Sequence, residues 1–178
     1  MKAYKNWASH EYSLGRRFLV MIPAGILIVL AIPYLFTLAA NSIDSRLGLP
    51  RFTPIPWNWI LAGLLAAAGL ALGLWSIYAQ VTIGRGTPVP MAPTQKLVVK
   101  PPFTYCRNPM TLGTFIAYLA LPAWLGSWSA LALVLTLTAA LLLYIKLLEE
   151  KELEARFGQE YLEYKRTTPF FLPRLLKK

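Results

Sequence analysis

Long uncharged apolar runs alternate with polar, proline-containing segments along the chain. The first run, residues 18–40, would rise about 1.5 Å per residue as a helix, so it can cross a hydrocarbon core roughly 30 Å thick. Pro23 and Pro33 lie inside this run, and prolines within a membrane helix more often kink it than end it. The pattern predicts a first transmembrane helix over residues 18–40, with kinks at its prolines.

A second apolar run, residues 57–83, follows a polar loop. Trp57 and Trp59 stand at its start, where aromatic side chains suit the headgroup level of a bilayer. Gly69 and Gly73 form a small-xxx-small spacing that allows another helix to approach closely. We therefore predict a second transmembrane helix that packs through its glycines.

The segment over residues 84–109 breaks the apolar pattern. It contains six prolines and several basic residues, and it has no helical periodicity. A connection of this length is more often functional or disordered than a simple link. We expect this segment to contribute residues to a functional site.

The rest of the chain predicts a helical hairpin and a charged exit from the membrane. Residues 110–121 and 129–148 are apolar and flank a turn at residues 124–128. Charged residues then continue the fourth helix beyond the bilayer as far as Gly158, which is a plausible stop signal. A short amphipathic helix over residues 160–166 is expected to follow.

These elements predict an all-α integral membrane protein with about four transmembrane helices, a long cytosolic loop and C-terminal amphipathic helices. We expect one membrane domain over residues 1–178. Residues 18–83 would supply its first two helices, and residues 84–178 the loop, the hairpin and the C-terminal catalytic segment.

Composition supports membrane residence. Hydrophobic residues make up 56% of the 178 positions and charged residues only 15%, so the apolar surface exceeds what a soluble domain of this size can bury. The excess is expected to face lipid. A polar stretch over residues 1–17 precedes the first apolar run, so the N-terminus does not resemble a cleaved signal peptide.

The distribution of charge predicts an orientation. Lys and Arg number four before Phe18, four in the 84–109 loop and eight from Lys146 onward, against two in the loop between the first two helices. The positive-inside rule then places both termini and the long loop in the cytoplasm, in the cell (inner) membrane. The net charge of +10 is explained by this bias, so nucleic acid is not expected as a partner.

A metal site is not expected. The chain has one cysteine, Cys106, and one histidine, His10, which lies in the polar N-terminal segment. This excludes an internal disulfide and a multi-cysteine metal site.

Three cytosolic features are candidates for the functional site: the proline-rich loop over residues 86–107, Arg107-Asn108-Pro109 at the start of the third helix, and Glu149-Glu150 at the end of the fourth. Each has an ordinary explanation. The glutamates are typical of the charged end of a helix that leaves the membrane. There Glu150 and Glu154 would repel each other, and Glu152 would attract Arg156. Arg107 suits a positive-inside residue, and Asn108 a helix cap.

The combination is more specific than any one feature. The full set, in chain order, is Thr87-Pro88, Lys96-Leu97-Val98-Val99, Pro102-Phe103-Thr104-Tyr105, Arg107-Asn108-Pro109-Met110, Gly113, Glu149-Glu150, Leu153, Phe157-Gly158, Tyr161, Tyr164, Phe170 and Pro173. Its order and approximate spacing resemble the isoprenylcysteine carboxyl methyltransferase and phospholipid methyltransferase superfamily. The resemblance covers residues 84–173, about half of the chain.

The resemblance implies a pocket for S-adenosyl-L-methionine at the cytosolic interface. The cofactor-binding residues it implies are Leu97, Val98, Val99, Pro102, Tyr105, Arg107, Asn108, Gly113, Glu149 and Glu150. A glutamate of the 149–150 pair would bind the ammonium of the cofactor, and Arg107 would bind its carboxylate. Each pair joins opposite charges, as charge-assisted hydrogen bonds require. Tyr105, Tyr161 or Tyr164 could face the sulfonium.

The acceptor implied is a lipid or lipid-modified molecule, and Arg107, Glu150 and Tyr164 are the candidate catalytic residues. A prenylcysteine-type carboxylate would need a cation such as Arg107 or Arg166, whereas a phospholipid amine would need a base such as Glu or Tyr. Thr111 departs from the superfamily, which commonly carries Tyr there.

Two alternatives stay open. Sterol reductases resemble this superfamily in their C-terminal region and use NADPH, whose 2'-phosphate would call for further basic residues. A non-enzymatic scaffold or transport subunit would need only the helices, although no ionisable residue lies mid-span to mark an ion path.

Overall fold

The computed structural model describes residues 13–89 and 91–173, and this part of the chain contains helices and no strands. The helices, in order, are α1 (Leu14–Leu47), α2 (Trp57–Thr82), α3 (Pro109–Leu125), α4 (Trp128–Phe157) and α5 (Gln159–Thr167). The all-α fold class is therefore confirmed. The predictions for His10 and for the rest of the N-terminal polar segment before Ser13 lie outside the described residues.

Three of these helices, α1, α2 and α4, are long and apolar enough to cross a membrane, and α3 is a shorter apolar helix of 17 residues. Large apolar side chains on the long helices point away from the protein, for example Leu30, Leu64 and Leu143, each about 60% exposed. This exposed apolar surface is the excess that composition predicted would face lipid.

The first helix is longer than predicted and contains a wide turn. A π turn, Leu27–Ala31, separates the two parts of α1, and the N–H of Ile32 donates to the carbonyl of Leu27, five residues earlier. Pro33 follows directly and has no N–H to offer, which disturbs the regular hydrogen-bond ladder. The predicted kink thus takes the form of a π turn, and the helix continues to Leu47, where Gly48 ends it with φ of +64°.

Glycines bring α2 and α3 into backbone contact. A Cβ added to Gly113 of α3 would lie 2.6 Å from the nitrogen of Gly73 and 2.8 Å from the oxygen of Gly69. Only a residue without a side chain fits at such a contact. The predicted close packing, with α3 as the partner, is confirmed at Gly69, where an added Cβ would lie 2.2 Å from the nitrogen of Ala117. Gly73 contributes backbone atoms to the contact, but a Cβ on Gly73 itself would meet nothing within 4 Å.

The hairpin turn is shorter than predicted. Pro122 does not end α3, which continues to Leu125 before Gly126 turns the chain with φ of +65°. Ser127 then caps α4 by accepting a hydrogen bond from the N–H of Ala130 at 2.9 Å. The predicted turn over residues 124–128 therefore shrinks to two residues, because Pro122 is tolerated inside the helix.

The charged end of α4 folds back through α5. A second π turn, Ile145–Glu149, marks the place where α4 changes from apolar to charged. Gly158 stops α4 as predicted, with φ of +57°, and α5 follows at once. The predicted pair of Glu152 with Arg156 is present at 3.3 Å.

Candidate cofactor and acceptor cavity

One cavity of about 430 Å³ lies where the proline-rich loop, α1, α3, α4 and α5 meet. Its volume falls within the roughly 300–1,000 Å³ usual for small-molecule sites. The polar part of its wall includes Thr87, Thr94 and Glu149, whereas Ile28 and Leu141 belong to an apolar part contributed by α1 and α4. The same cavity therefore has a polar wall from the loop and an apolar wall from membrane helices.

The loop has a defined fold despite its lack of helices. A Cβ at Gly86 would collide with the backbone of Thr94, so the two sides of the loop are in direct contact. The N–H of Thr87 donates to Ala92 at 2.7 Å, and the N–H of Gln95 donates to Gly84 at 2.6 Å. Gly84 and Gly86 are thus explained by the packing of the loop on itself.

Arg107 is the centre of a buried network. Its Nε and one terminal nitrogen donate to Oε1 of Glu150 at 3.1 and 2.6 Å, and its other terminal nitrogen donates to the carbonyls of Lys165 and Thr168 at 2.8 and 2.7 Å. These contacts use four of the five guanidinium N–H groups. The charge of Arg107 is consequently neutralised within the protein by Glu150, which is 3% exposed.

Lys165 extends this network to two carboxylates. Its ammonium lies 3.0 Å from Oε2 of Glu150 and 2.6 Å from Oε1 of Glu154. The hydrogen bonds to Glu154 and Glu150 raise the pKa of Lys165 above its usual value. The repulsion that the sequence predicts between Glu150 and Glu154 is thereby offset by a cation placed between them.

The segment after α5 is fastened to the start of α3. The N–H of Arg107 donates to the carbonyl of Pro169 at 2.8 Å, and the Asn108 amide donates to the carbonyl of Phe170 at 2.8 Å. The guanidinium also lies 5.6 Å from the centre of the Phe170 ring. Asn108 occupies the cap position of α3 but makes no side-chain cap bond, so it holds the C-terminal segment instead.

The two adjacent glutamates have different environments. Glu149 lines the cavity and has no side-chain hydrogen bond or ion pair with any described residue. Glu150 is absent from the cavity wall and lies behind Arg107. Adjacent helical residues point about 100° apart, which explains the difference.

Two buried tyrosines close the α5 side of the cavity. Tyr161 is 2% exposed, Tyr164 is 7% exposed, and the Tyr164 hydroxyl donates to the carbonyl of Phe103 at 2.7 Å. Burial raises the pKa of both hydroxyls above the usual value, and the charge of Glu150 adds to the effect at Tyr161. Both are therefore protonated at neutral pH and unsuited to act as bases.

The structure brings about half of the predicted site residues to the cavity. Those on its wall are Leu97, Val98, Arg107, Asn108, Glu149, Tyr161 and Tyr164, together with the departure position Thr111. Those away from it are Val99, Pro102, Tyr105, Gly113, Glu150 and Arg166. Tyr105 packs against Trp75 with ring centres 6.3 Å apart, and Gly113 faces α2 as described above.

Gln80 is a cavity residue that the sequence did not indicate. It lies at the end of α2, and its Oε1 atom is buried without a hydrogen-bond partner among the described residues. A buried acceptor without a donor is costly, so it marks a place where a ligand N–H would fit. A glutamine at the end of an apolar helix gives no such signal in sequence.

The two π turns also border the cavity. Ile28 belongs to the first and Ile145 and Glu149 to the second. In the first turn the carbonyl of Ile28 accepts a hydrogen bond from the Tyr118 hydroxyl at 2.5 Å. Such wide turns are often found at functional sites, because they change which side chains and carbonyls face a neighbour.

Within the described residues, no group of three or more His, Cys, Asp or Glu side chains could hold a metal ion.

Comparison with known proteins gives a family and one distant relative. The family model described as phospholipid methyltransferase matches residues 57–160, more than half of the chain. The nickel-cobalt-cadmium resistance protein NccN of Alcaligenes xylosoxydans xylosoxydans is 31% identical over 121 residues, which cover 66% of this chain and 54% of NccN. The chain thus spans about half the length of that relative. No solved structure matches.

Proposed function

This chain belongs to the phospholipid methyltransferase family, and on that premise we propose that it transfers a methyl group from S-adenosylmethionine to a lipophilic acceptor at the cytosolic face of the membrane. The observation that carries the proposal is the composition of the cavity wall. A polar loop and unpaired Glu149 form one part, and apolar residues of the membrane helices form the other. A soluble donor and a membrane-borne acceptor can share such a site.

The residues present fit the cofactor. Glu149 offers an unpaired carboxylate for the ammonium of its amino-acid portion, and Oε1 of Gln80 offers an acceptor for an N–H group. Tyr161 lines the same cavity and can place an aromatic face toward the sulfonium. S-adenosylmethionine supplies, when bound, a methyl group already activated by positively charged sulfur.

The protein then has to position the methyl donor and the acceptor, exclude water from the reaction, and allow a proton of the acceptor to leave. Arg107 organises the start of α3, α4 and the C-terminal segment around the cavity, which keeps the cavity walls in a fixed arrangement. An amine acceptor releases a proton on methylation. That proton has to pass to water, because Glu149 is assigned to the ammonium of the cofactor and Glu152 is held by Arg156. The described basic residues on the cavity wall, Arg107 and Arg156, are both paired with carboxylates. A phospholipid amine suits the cavity better than a carboxylate acceptor, which would need a free cation.

The same argument disfavours NADPH. The two described basic residues on the cavity wall are Arg107 and Arg156. Arg107 is bound to Glu150 and two carbonyls, and Arg156 is bound to Glu152 and the carbonyl of Thr94. Neither offers a free charge to a 2'-phosphate.

Ligand binding and methyl transfer test the proposal separately. Purified protein in detergent should be stabilised against thermal unfolding by S-adenosylhomocysteine and not by NADPH, because a ligand stabilises the state that binds it. Membranes containing the protein should transfer radiolabelled methyl groups from S-adenosylmethionine into the organic extract. Label confined to water-soluble products, or stabilisation by NADPH alone, would overturn the proposal.

A further inference from the structure

The chain that follows α5, residues 168–173, is an irregular segment that we call the C-terminal strap. Its sequence is Thr-Pro-Phe-Phe-Leu-Pro, so it contains no charged residue although it comes directly after a polar helix. Aromatic and aliphatic side chains next to a charged helix are typical of segments that lie in a membrane interface. The composition of the strap therefore favours contact with an apolar surface.

One aromatic contact shows how far the strap extends along the membrane helices. The ring of Phe171 packs against the ring of Phe115 on α3, with centres 6.1 Å apart. Phe115 lies two residues beyond Gly113, which is in backbone contact with Gly73 of α2. At about 1.5 Å per residue, Gly73 lies about 14 Å before the end of α2 at Thr82. The strap thus reaches well below the end of a helix that can cross a membrane.

The length of α2 places this contact relative to the bilayer. A helix of 26 residues is about 39 Å long, roughly 9 Å more than a hydrocarbon core. Even if all of this excess projected at the Thr82 end, Gly73 would still lie inside the core. Phe115 lies farther along α3 in the same direction, so the ring of Phe171 is at the depth of acyl chains.

The backbone of the strap is suited to this depth. The carbonyls of Thr168, Pro169 and Phe170 accept hydrogen bonds at 2.7, 2.8 and 2.8 Å from the guanidinium of Arg107, the N–H of Arg107 and the amide of Asn108. Pro169 has no N–H that would need an acceptor. Irregular backbone is tolerated at membrane depth where the protein supplies its hydrogen bonds, and α3 supplies three of them here.

We infer that the C-terminal strap is inserted in the bilayer leaflet on the side of the proline-rich loop, and that its partner is the acyl chains of that leaflet. Leu172 is 72% exposed, more than any other large apolar side chain in the part of the chain that the structure describes. An apolar side chain in this position is stabilised by hydrocarbon and not by water. Three of the five residues that follow Pro173 in sequence are Lys or Arg, which suits anionic headgroups above an inserted segment.

Insertion of the strap would fix the candidate cavity relative to the membrane surface. Arg107 and Asn108, which hold the strap, also line the cavity, and so do Tyr161 and Tyr164 of α5. The strap leads directly out of α5, so α5 would be held beside the bilayer by a lipid contact as well as by protein contacts. This inference is independent of the reaction that the cavity catalyses.

A spin label at Leu172 tests the inference in the full chain. The label is a nitroxide on Leu172→Cys, in vesicles of phosphatidylethanolamine and phosphatidylglycerol, and the native Cys106 is 1% exposed and stays unlabelled. Glu163→Cys is the matched control in water, because Glu163 is on α5 with its side chain 72% exposed. Leu143→Cys on α4, 59% exposed, is the reference in lipid. Paramagnetic resonance measures the access of oxygen, which concentrates in the bilayer, and of a nickel chelate, which stays in water.

The ratio of oxygen access to chelate access at Leu172→Cys should lie close to that at Leu143→Cys and well above that at Glu163→Cys. All three labelled variants should keep the unfolding temperature of the wild type, because each position is exposed. A ratio equal to that at Glu163→Cys would put the strap in water and overturn the inference. Low access of both reagents would mean that another protein surface covers Leu172, which would also overturn it.

A second substitution at Phe171 separates insertion from simple proximity to lipid. Phe171→Asp, combined with Leu172→Cys, should shift the access ratio toward the value at Glu163→Cys, because a carboxylate is expelled from hydrocarbon. Phe171→Leu in the same background should leave the ratio unchanged. Equal ratios for the aspartate and leucine variants would show that Phe171 is outside the bilayer, contrary to the inference.

Discussion

At the residue scale, Glu149 and Glu150 are adjacent in sequence and opposite in environment. Glu150 neutralises Arg107 and Lys165 in a buried network, whereas Glu149 faces the cavity with no ion pair among the described residues. The ammonium of a cofactor needs a carboxylate that is still free to bind it. Substitution of Glu149 should therefore affect ligand binding, and substitution of Glu150 should affect stability.

Glu149→Gln should abolish stabilisation by S-adenosylhomocysteine and leave the unfolding temperature of the ligand-free protein nearly unchanged. Glu150→Ala should lower the free energy of unfolding by on the order of 3 kcal/mol, because it leaves Arg107 buried without a counter-charge. Thermal unfolding in detergent, with and without ligand, measures both effects. Unchanged ligand binding in Glu149→Gln would remove that carboxylate from the cofactor site.

Gln80 gives a second prediction at this scale. Gln80→Leu removes a buried acceptor that has no protein donor, so ligand-free stability should be equal or higher. The dissociation constant of S-adenosylhomocysteine should rise roughly tenfold, the loss of about one hydrogen bond. Calorimetric titration of wild type and variant checks this. An unaltered dissociation constant would mean that Gln80 does not contact the ligand.

At the scale of elements, α5 closes the cavity by fixing other segments to itself. Tyr164 binds the carbonyl of Phe103 in the loop, Lys165 bridges two glutamates of α4, and the segment after α5 is bound to Arg107 and Asn108. This short helix is polar overall and would be marginal alone in water. Its position depends on these contacts.

The contacts of α5 predict a loss of stability at alkaline pH. The pKa of Lys165 and that of Tyr164 are both raised in the folded protein above their usual values of 10.5 and 10.0. A raised pKa means that stabilisation is complete below the unfolded value and is lost as pH rises through the folded value. The unfolding temperature should therefore be steady near neutrality and fall above about pH 10.

A double variant, Tyr164→Phe with Lys165→Met, is the control for this fall. It should unfold at a lower temperature than wild type at neutral pH and show a flatter alkaline decline, because two of the titrating groups on α5 are gone and Tyr161 remains. Thermal scans from about pH 8 to about pH 11 measure the two curves. Parallel curves for wild type and variant would contradict the assignment to α5.

At the scale of the whole molecule, the charge bias predicts orientation. Leu49→Cys lies in the loop between α1 and α2, and Met91→Cys lies in the proline-rich loop; both positions are exposed. In intact cells, a membrane-impermeant maleimide should label Leu49→Cys at once and Met91→Cys only after permeabilisation. Cys106 is 1% exposed and should contribute no background. The reverse labelling order would invert the proposed topology.

The sequence by itself determined the membrane architecture and the region of the candidate site. Apolar runs and glycine spacing predict the helices and the contact of α2 with its neighbour, because helix periodicity and lipid exposure are local properties of the chain. Helix ends were less accurate: a proline such as Pro122 is tolerated inside a membrane helix, so α3 extends beyond its predicted end.

Only the tertiary structure decided how the candidate residues divide their roles. It paired Arg107 with Glu150, left Glu149 on the cavity wall, turned Gly113 toward α2 and placed Gln80, with its unpaired buried oxygen, on the same wall. These features depend on contacts between residues far apart in sequence and on the direction in which individual side chains point from a helix. A π turn changes that direction without any change in amino-acid composition.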